Sequence, residues 1–220
     1  MRIRSLQSRS IAFVLSAVLG LLFTPTLFAE KPDSPETGFK PMFNGRDLTG
    51  WEGNLKLWEI VDGTVVGNST GLKQNEFLAT KAKYADFELR LEFRMKNGMG
   101  NSGVQFRSRR LPGSHAVEGY QADLGKGYWG CLYDEHRRRK TLVHAPKTLA
   151  TVLKKSSWNT YIIRAQGSHV TLKINGLTTV DYTEPDKKIA RTGIIALQLH
   201  SGPAMKMEFR KVRIKVLKTK

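Results

Sequence analysis

Residues 86–96 read DFELRLEFRMK, and their alternation decides the fold class. Phe87, Leu89, Leu91, Phe93 and Met95 are apolar, while Glu88, Arg90, Glu92, Arg94 and Lys96 between them are charged. A period of two collects the apolar set on one face of an extended strand; a helix would scatter it around the axis. The same rule continues on either side. IVDGTVVG (60–67) carries Asp62-Gly63 and VTLKINGLTTVDY (170–182) carries Asn175-Gly176, dipeptides suited to the positive φ values of a tight hairpin turn. KTLATVLKK (147–155) is the one helix-like stretch, and it also reads as loop. Many strands without intervening helices predict an all-β chain, an antiparallel sandwich of two sheets. In the closing strand Met205, Met207 and Phe209 are apolar at odd positions, whereas Val212, Ile214 and Val216 are apolar at even ones. A bulge near Arg210 and Lys211 would keep both sets on one face.

Outward from the strands, the N-terminus is of another kind. Arg2, Arg4 and Arg9 precede an apolar run, 11–22, and a stretch ending LFAE, the layout of a secretory signal peptide. The run is shorter than the roughly 20 apolar residues of a membrane span, and an uncleaved anchor is the alternative. Cleavage after Ala29 gives a signal peptide at 1–29, a polar linker at 30–38 and a domain at 39–220 in the periplasm or outside the cell, with no membrane contact after cleavage. Loss of three arginines and no acids lowers the formal charge of +17 to +14. So basic a chain attracts anions, an acidic glycan among them, and export argues against nucleic acid as its partner. The single cysteine, Cys131, cannot form an internal disulfide. The cationic run RRRK (137–140) reads as a solvated loop edge.

Parity also sorts the polar residues. With Val104, Phe106, Tyr120, Ala122, Leu124, Leu132, Ile195, Leu197 and Leu199 inward, Gln105, Arg107, Gln121, Asp123, Tyr133, Gln198 and His200 point outward, and Arg94 joins them by the same rule. Amide, guanidinium, carboxyl, phenol and imidazole are groups that hold sugars and move protons. The same side chains could equally hydrogen-bond one another beneath loops. Trp58 and Trp158 read as core, while Trp129 lies in a glycine-bounded loop where it could stack on a sugar face.

Six segments carry a resemblance: FKPMFNGRDLTGW (39–51), WEIVDGTVVG (58–67), YADFELRLEFRMKNGMGNSGVQFRSR (84–109), GYQADLG (119–125), SWNTYIIRAQGSHVTLKINGLTTVDY (157–182) and TGIIALQLHSGPAMKMEFRKVRIKVL (192–217). In this order they resemble the 3-keto-disaccharide hydrolase domain family. The resemblance implies a concanavalin A-like jelly roll, often exported, acting on a glycoside already oxidised to a ketone at C3. The chain departs from the common family pattern at Ala122 and at Ser201 after His200. A C3 ketone acidifies the C2 proton, so a base can form an enolate that expels the C1 substituent, and water then adds back. Paired glycosidase carboxylates are not needed.

Roles follow from that chemistry. His200 is the first candidate for the base, with a structural histidine as the alternative. Asp123 could orient it, act as the base itself or bind a metal. Arg107 is the expected cation at the enolate oxygen, with a surface ion pair as the competing reading. Tyr133 could donate to the leaving oxygen, and Arg94, Gln105, Gln121, Gln198, Trp129 and Glu118 are candidates for contacting the sugar. Asp123, Glu118, His200 and His115 could share a divalent ion, but their spacing is no zinc signature, and neither cofactor nor metal is predicted. The expected ligand is an oxidised di- or oligosaccharide. A non-catalytic carbohydrate-binding sandwich is the alternative function, and a charge-driven nucleic-acid binder the weakest.

Overall fold

A computed structural model describes residues 36–218. The expected signal peptide, 1–29, and residues 30–35 of the expected linker lie outside the described residues. Within the described part Glu36 is tied to Arg90 and Arg213, at 2.8 and 3.0 Å.

Among the described residues there are fifteen strands and no α-helix. In chain order they are β1 (Lys40–Pro41), β2 (Trp51–Glu52), β3 (Trp58–Val61), β4 (Thr64–Leu72), β5 (Glu76–Thr80), β6 (Phe87–Met95), β7 (Asn101–Arg110) and β8 (Val117–Gly125). They continue as β9 (Leu132–Glu135), β10 (Lys140–Val143), β11 (Asn159–Gln166), β12 (His169–Ile174), β13 (Leu177–Thr183), β14 (Ile194–Leu199) and β15 (Gly202–Val216). One antiparallel sheet runs β13-β12-β11-β6-β15-β4-β3, with β1 beside β15, and the other runs β10-β9-β8-β7-β14-β5-β2. The helix-like 147–155 stretch yields only a 3-10 turn at Lys147–Thr151.

The alternation of β6 is realised in full: Phe87, Leu89, Leu91, Phe93 and Met95 are buried and the residues between them are half-buried. They pack against Val104, Phe106, Tyr120, Leu124, Leu197 and Leu199 of the facing sheet. Burial of each such side chain contributes roughly 1.5–3 kcal/mol. Asp62 and Gly63 take φ of 48° and 70°, and Asn175 and Gly176 take 49° and 84°, the geometry a tight hairpin turn requires. The bulge in β15 falls between Arg210 and Arg213, with Lys211 at φ 51°.

The other face of the first sheet is a lattice of ion pairs. Glu88 holds Arg90 and Arg164, Glu92 holds Arg210 and Lys211, and Glu208 holds Arg94 and Lys206. Trp158 lies here between the guanidinium groups of Arg94 and Arg210, at 4.6 and 4.1 Å from the ring centre, and not in the core. The cationic run after β9 is a solvated edge only at Arg139 and Lys140, which are exposed. Arg137 pairs with the fully buried Asp134 at 2.9 Å, and Arg138 reaches both Asp134 and Glu184.

Candidate functional site

The outward residues of β14, β7, β8 and β9 come together in cross-strand rows. Ala196 pairs with Gln105, Gln105 with Gln121, and Gln121 with Tyr133; in the next row Gly103 pairs with Asp123. Sheet pairing therefore delivers carboxyl, amides and phenol to one face, where the amides and the carboxyl are buried beside a small apolar cluster that includes Ala196, with the main core on the opposite side.

A hydrogen-bond chain crosses the strands. Ser108 Oγ donates to Gln105 Oε1 at 2.9 Å, and Gln105 Nε2 donates to Gln121 Oε1 at 2.7 Å. With its oxygen occupied, Gln121 keeps its N–H groups for the carboxyl of Asp123. Glycine at 103 makes this arrangement possible, because a Cβ there would stand 2.6 Å from Gln121 Cγ.

Asp123 is 3% exposed and accepts the Leu124 amide at 2.8 Å. Burial pushes its pKa up to about 7, while Gln121, the Leu124 amide and Asn101 favour the ionised form and the charge of Glu135 opposes it. Desolvation dominates, which poises the carboxyl near neutrality. Gln198 is completely buried and neither atom of its amide has a partner. An amide buried without partners costs free energy unless a ligand satisfies it.

His200 stands at the end of β14, half-buried, with Nδ1 2.7 Å from the carbonyl oxygen of Ser201. A carbonyl only accepts, so Nδ1 carries a proton, and in the neutral ring Nε2 is the acceptor. Tyr133 is half-buried and meets Tyr128 edge-on at 6.4 Å; burial, then Glu135, Tyr128 and Asp123, raise its pKa. Glu135, two residues further along β9 on the same face, was not among the residues expected from the sequence. Burial raises its pKa while His136, His200 and Arg139 act against the rise. Extending the parity rule by one step past Tyr133 would have found it.

Three expected members lie elsewhere, and Trp129 turns one face to the core. Arg107 sits in a β-bulge between Phe106 and Arg109 at φ 47°, which turns its side chain away. Its guanidinium donates to Ala85 O at 2.9 Å, Gly167 O at 2.7 Å and Asp86 Oδ1 at 2.8 Å, so its donors go to structural partners and not to an enolate. Arg94 belongs to the other sheet and pairs with Glu208, because parity fixes the face of a strand but not the sheet it joins. Glu118 pairs with Arg109 at 2.9 Å, at the opposite end of β8 from Asp123. Trp129 stacks on core Phe93 at 6.1 Å. His115 pairs with Glu76 at 3.1 Å, so the four donors suggested for a divalent ion do not meet.

Two antiparallel sheets enclosing one core, with amides and a carboxyl on an outer face, define a concanavalin-like jelly roll of the glycoside-acting or carbohydrate-binding class. Residues 38–215 match the model of the 3-keto-alpha-glucoside-1,2-lyase-like domain, and the chain belongs to that family. None of the curated proteins matches the sequence. Among solved structures, a protein described as a candidate glycosyl hydrolase from Parabacteroides distasonis is similar, with TM-score 0.63, 20% identity and coverage of 82% of this chain and 94% of that one. The carbohydrate-binding module CBM66 from Bacillus subtilis has TM-score 0.56, 17% identity and coverage of 76% and 96%. A β-glucanase from Bacillus licheniformis has TM-score 0.59, 13% identity and coverage of 83% and 100%. At such identities the likenesses describe the fold.

Proposed function

We propose that this protein cleaves 3-keto-glycosides by elimination and hydration, with Asp123 as the base. The observation that carries the reading is the buried Asp123 carboxyl, poised near neutrality beside the Gln105–Gln121 pair, in a chain of this family. A base with a pKa near the working pH combines a useful ionised fraction with real proton affinity.

Asp123 takes the C2 proton, and the C–H electron pair becomes the enolate on the C3 oxygen. The unpartnered amide of Gln198 offers an N–H donor for that oxygen, the place the sequence suggested for Arg107. When the enolate collapses, the C1–O bond breaks, its electron pair leaves with the aglycone oxygen, and Tyr133 supplies the proton. The product is an enone. His200 Nε2 then accepts a proton from the water that adds to C1, a proton returns to C2, and the 3-keto sugar is released. No metal enters these steps. The sequence of residues 1–29 supports export, which would place the substrate in the periplasm or outside the cell.

The test is incubation of the purified protein with a 3-keto-disaccharide, followed by absorbance of the enone and release of the second sugar. Turnover lost in Asp123→Asn is expected; absence of turnover on every 3-keto-glycoside would overturn the reading. In that outcome, sugar binding retained by the parent would favour a carbohydrate-binding module, a reading to which the structural likeness to CBM66 lends support.

A further inference from the structure

Beside Asp123 lies a pocket of about 250 Å³ that the chemistry above does not use. Trp129, Cys131, Pro146, Leu149, Ala150 and Leu153 line it, and Lys147 and Lys155 stand at its exposed side. It is joined to the site by backbone pairing: the Asp123 amide donates to Cys131 O at 3.0 Å, and the Gly130 amide donates to Asp123 O at 2.9 Å. A pocket wall is thus fixed to the strand that carries the carboxyl.

Resting on the lyase reading of the Asp123 face, we infer that this pocket is the subsite for the leaving group and takes a planar aromatic ring bearing a negative charge. Size comes first. A cavity of roughly 150 Å³ holds benzene, so this one has room for a ring with a substituent. Composition is second: the walls are mostly aliphatic and aromatic and give a second sugar few polar partners, so an aromatic leaving group is favoured over the second sugar of a disaccharide. Rigidity is third: Trp129 is held by its stack on Phe93, and it offers a fixed face for another ring. Charge is last. Neither Lys147 nor Lys155 makes an ion pair with a described residue, and both flank the mouth, where a carboxylate on the ring would meet them. His144, with Nδ1 3.9 Å from Cys131 Sγ, adds one polar edge.

Calorimetric binding of unoxidised methyl, phenyl and p-carboxyphenyl α-glucosides tests this without any chemical step. The phenyl compound should bind about tenfold tighter than the methyl one through buried apolar area. The carboxylate should add about fivefold, an increment that shrinks with salt. Ala150→Trp, which fills the pocket from an exposed turn, should abolish the phenyl increment. Lys147→Ala with Lys155→Ala should abolish only the carboxylate increment. Equal affinity for the three glucosides in the parent, or increments that survive these substitutions, would overturn the inference. Turnover of 3-keto-glucosides alongside equal affinities leaves the lyase reading intact and removes the subsite. Increments present with no turnover remove the lyase reading and keep the ring-binding pocket.

Discussion

Gln105 Nε2 donates to Gln121 Oε1 over 2.7 Å, and this contact settles which end of the Gln121 amide faces Asp123. In Gln105→Leu that constraint is gone, and Gln121 can turn its oxygen toward the carboxyl. Loss of a donor raises the Asp123 pKa further, so the acidic limb of the kcat/KM profile should move to higher pH. A merely structural role for Gln105 would lower activity without moving the limb.

Asp123→Asn should lower turnover of a 3-keto-disaccharide by about 10²–10⁴-fold. In the parent, kcat/KM should rise with pH through about 7 as the carboxyl ionises. That ascending limb should be missing from the residual activity of the variant.

Stability should respond to the same group. The folded pKa of Asp123 lies above its ordinary value of 3.8, so its contribution is fully present below that pH and is lost as pH rises to about 7. Measured by urea unfolding, Asp123→Asn should gain on the parent between pH 4 and pH 8, by up to about 4 kcal/mol. A stability difference independent of pH would show that the carboxyl is not desolvated.

Gly103→Ala should displace Gln121, because the new methyl would sit 2.6 Å from Gln121 Cγ. Overpacking of this kind costs about 1–3 kcal/mol. Activity should fall by more than that loss of stability explains, as seen in rate measurements well below the melting temperature.

Arg107→Ala leaves Asp86 buried without its charge partner, and loss of about 3–5 kcal/mol in urea unfolding is expected. Arg107→Lys should recover only part of it, since one ammonium cannot span Asp86, Ala85 O and Gly167 O as the planar fork does. Unfolding energies equal to the parent in both variants would contradict a structural Arg107.

Local sequence pattern was enough to locate β6, two hairpin turns, the Arg210–Lys211 bulge and the face on which Gln105, Gln121, Asp123, Tyr133 and Gln198 lie. Each of these is local: alternation selects a face, and Asp-Gly or Asn-Gly tolerates the φ that a tight turn demands. The positions of Arg107 and Arg94 came instead from the tertiary structure, through long-range pairing. GVQFRSRR alternates as smoothly as its neighbours, yet pairing with β8 inserts a bulge at Arg107 and sends its guanidinium to Asp86. Arg94 has the parity of a site residue but sits in a strand of the other sheet, a choice made by long-range pairing with β11 and β15. The state of Asp123 is tertiary as well. Its carboxyl is unremarkable in sequence, and only the packing that removes water from it moves its proton affinity to neutrality.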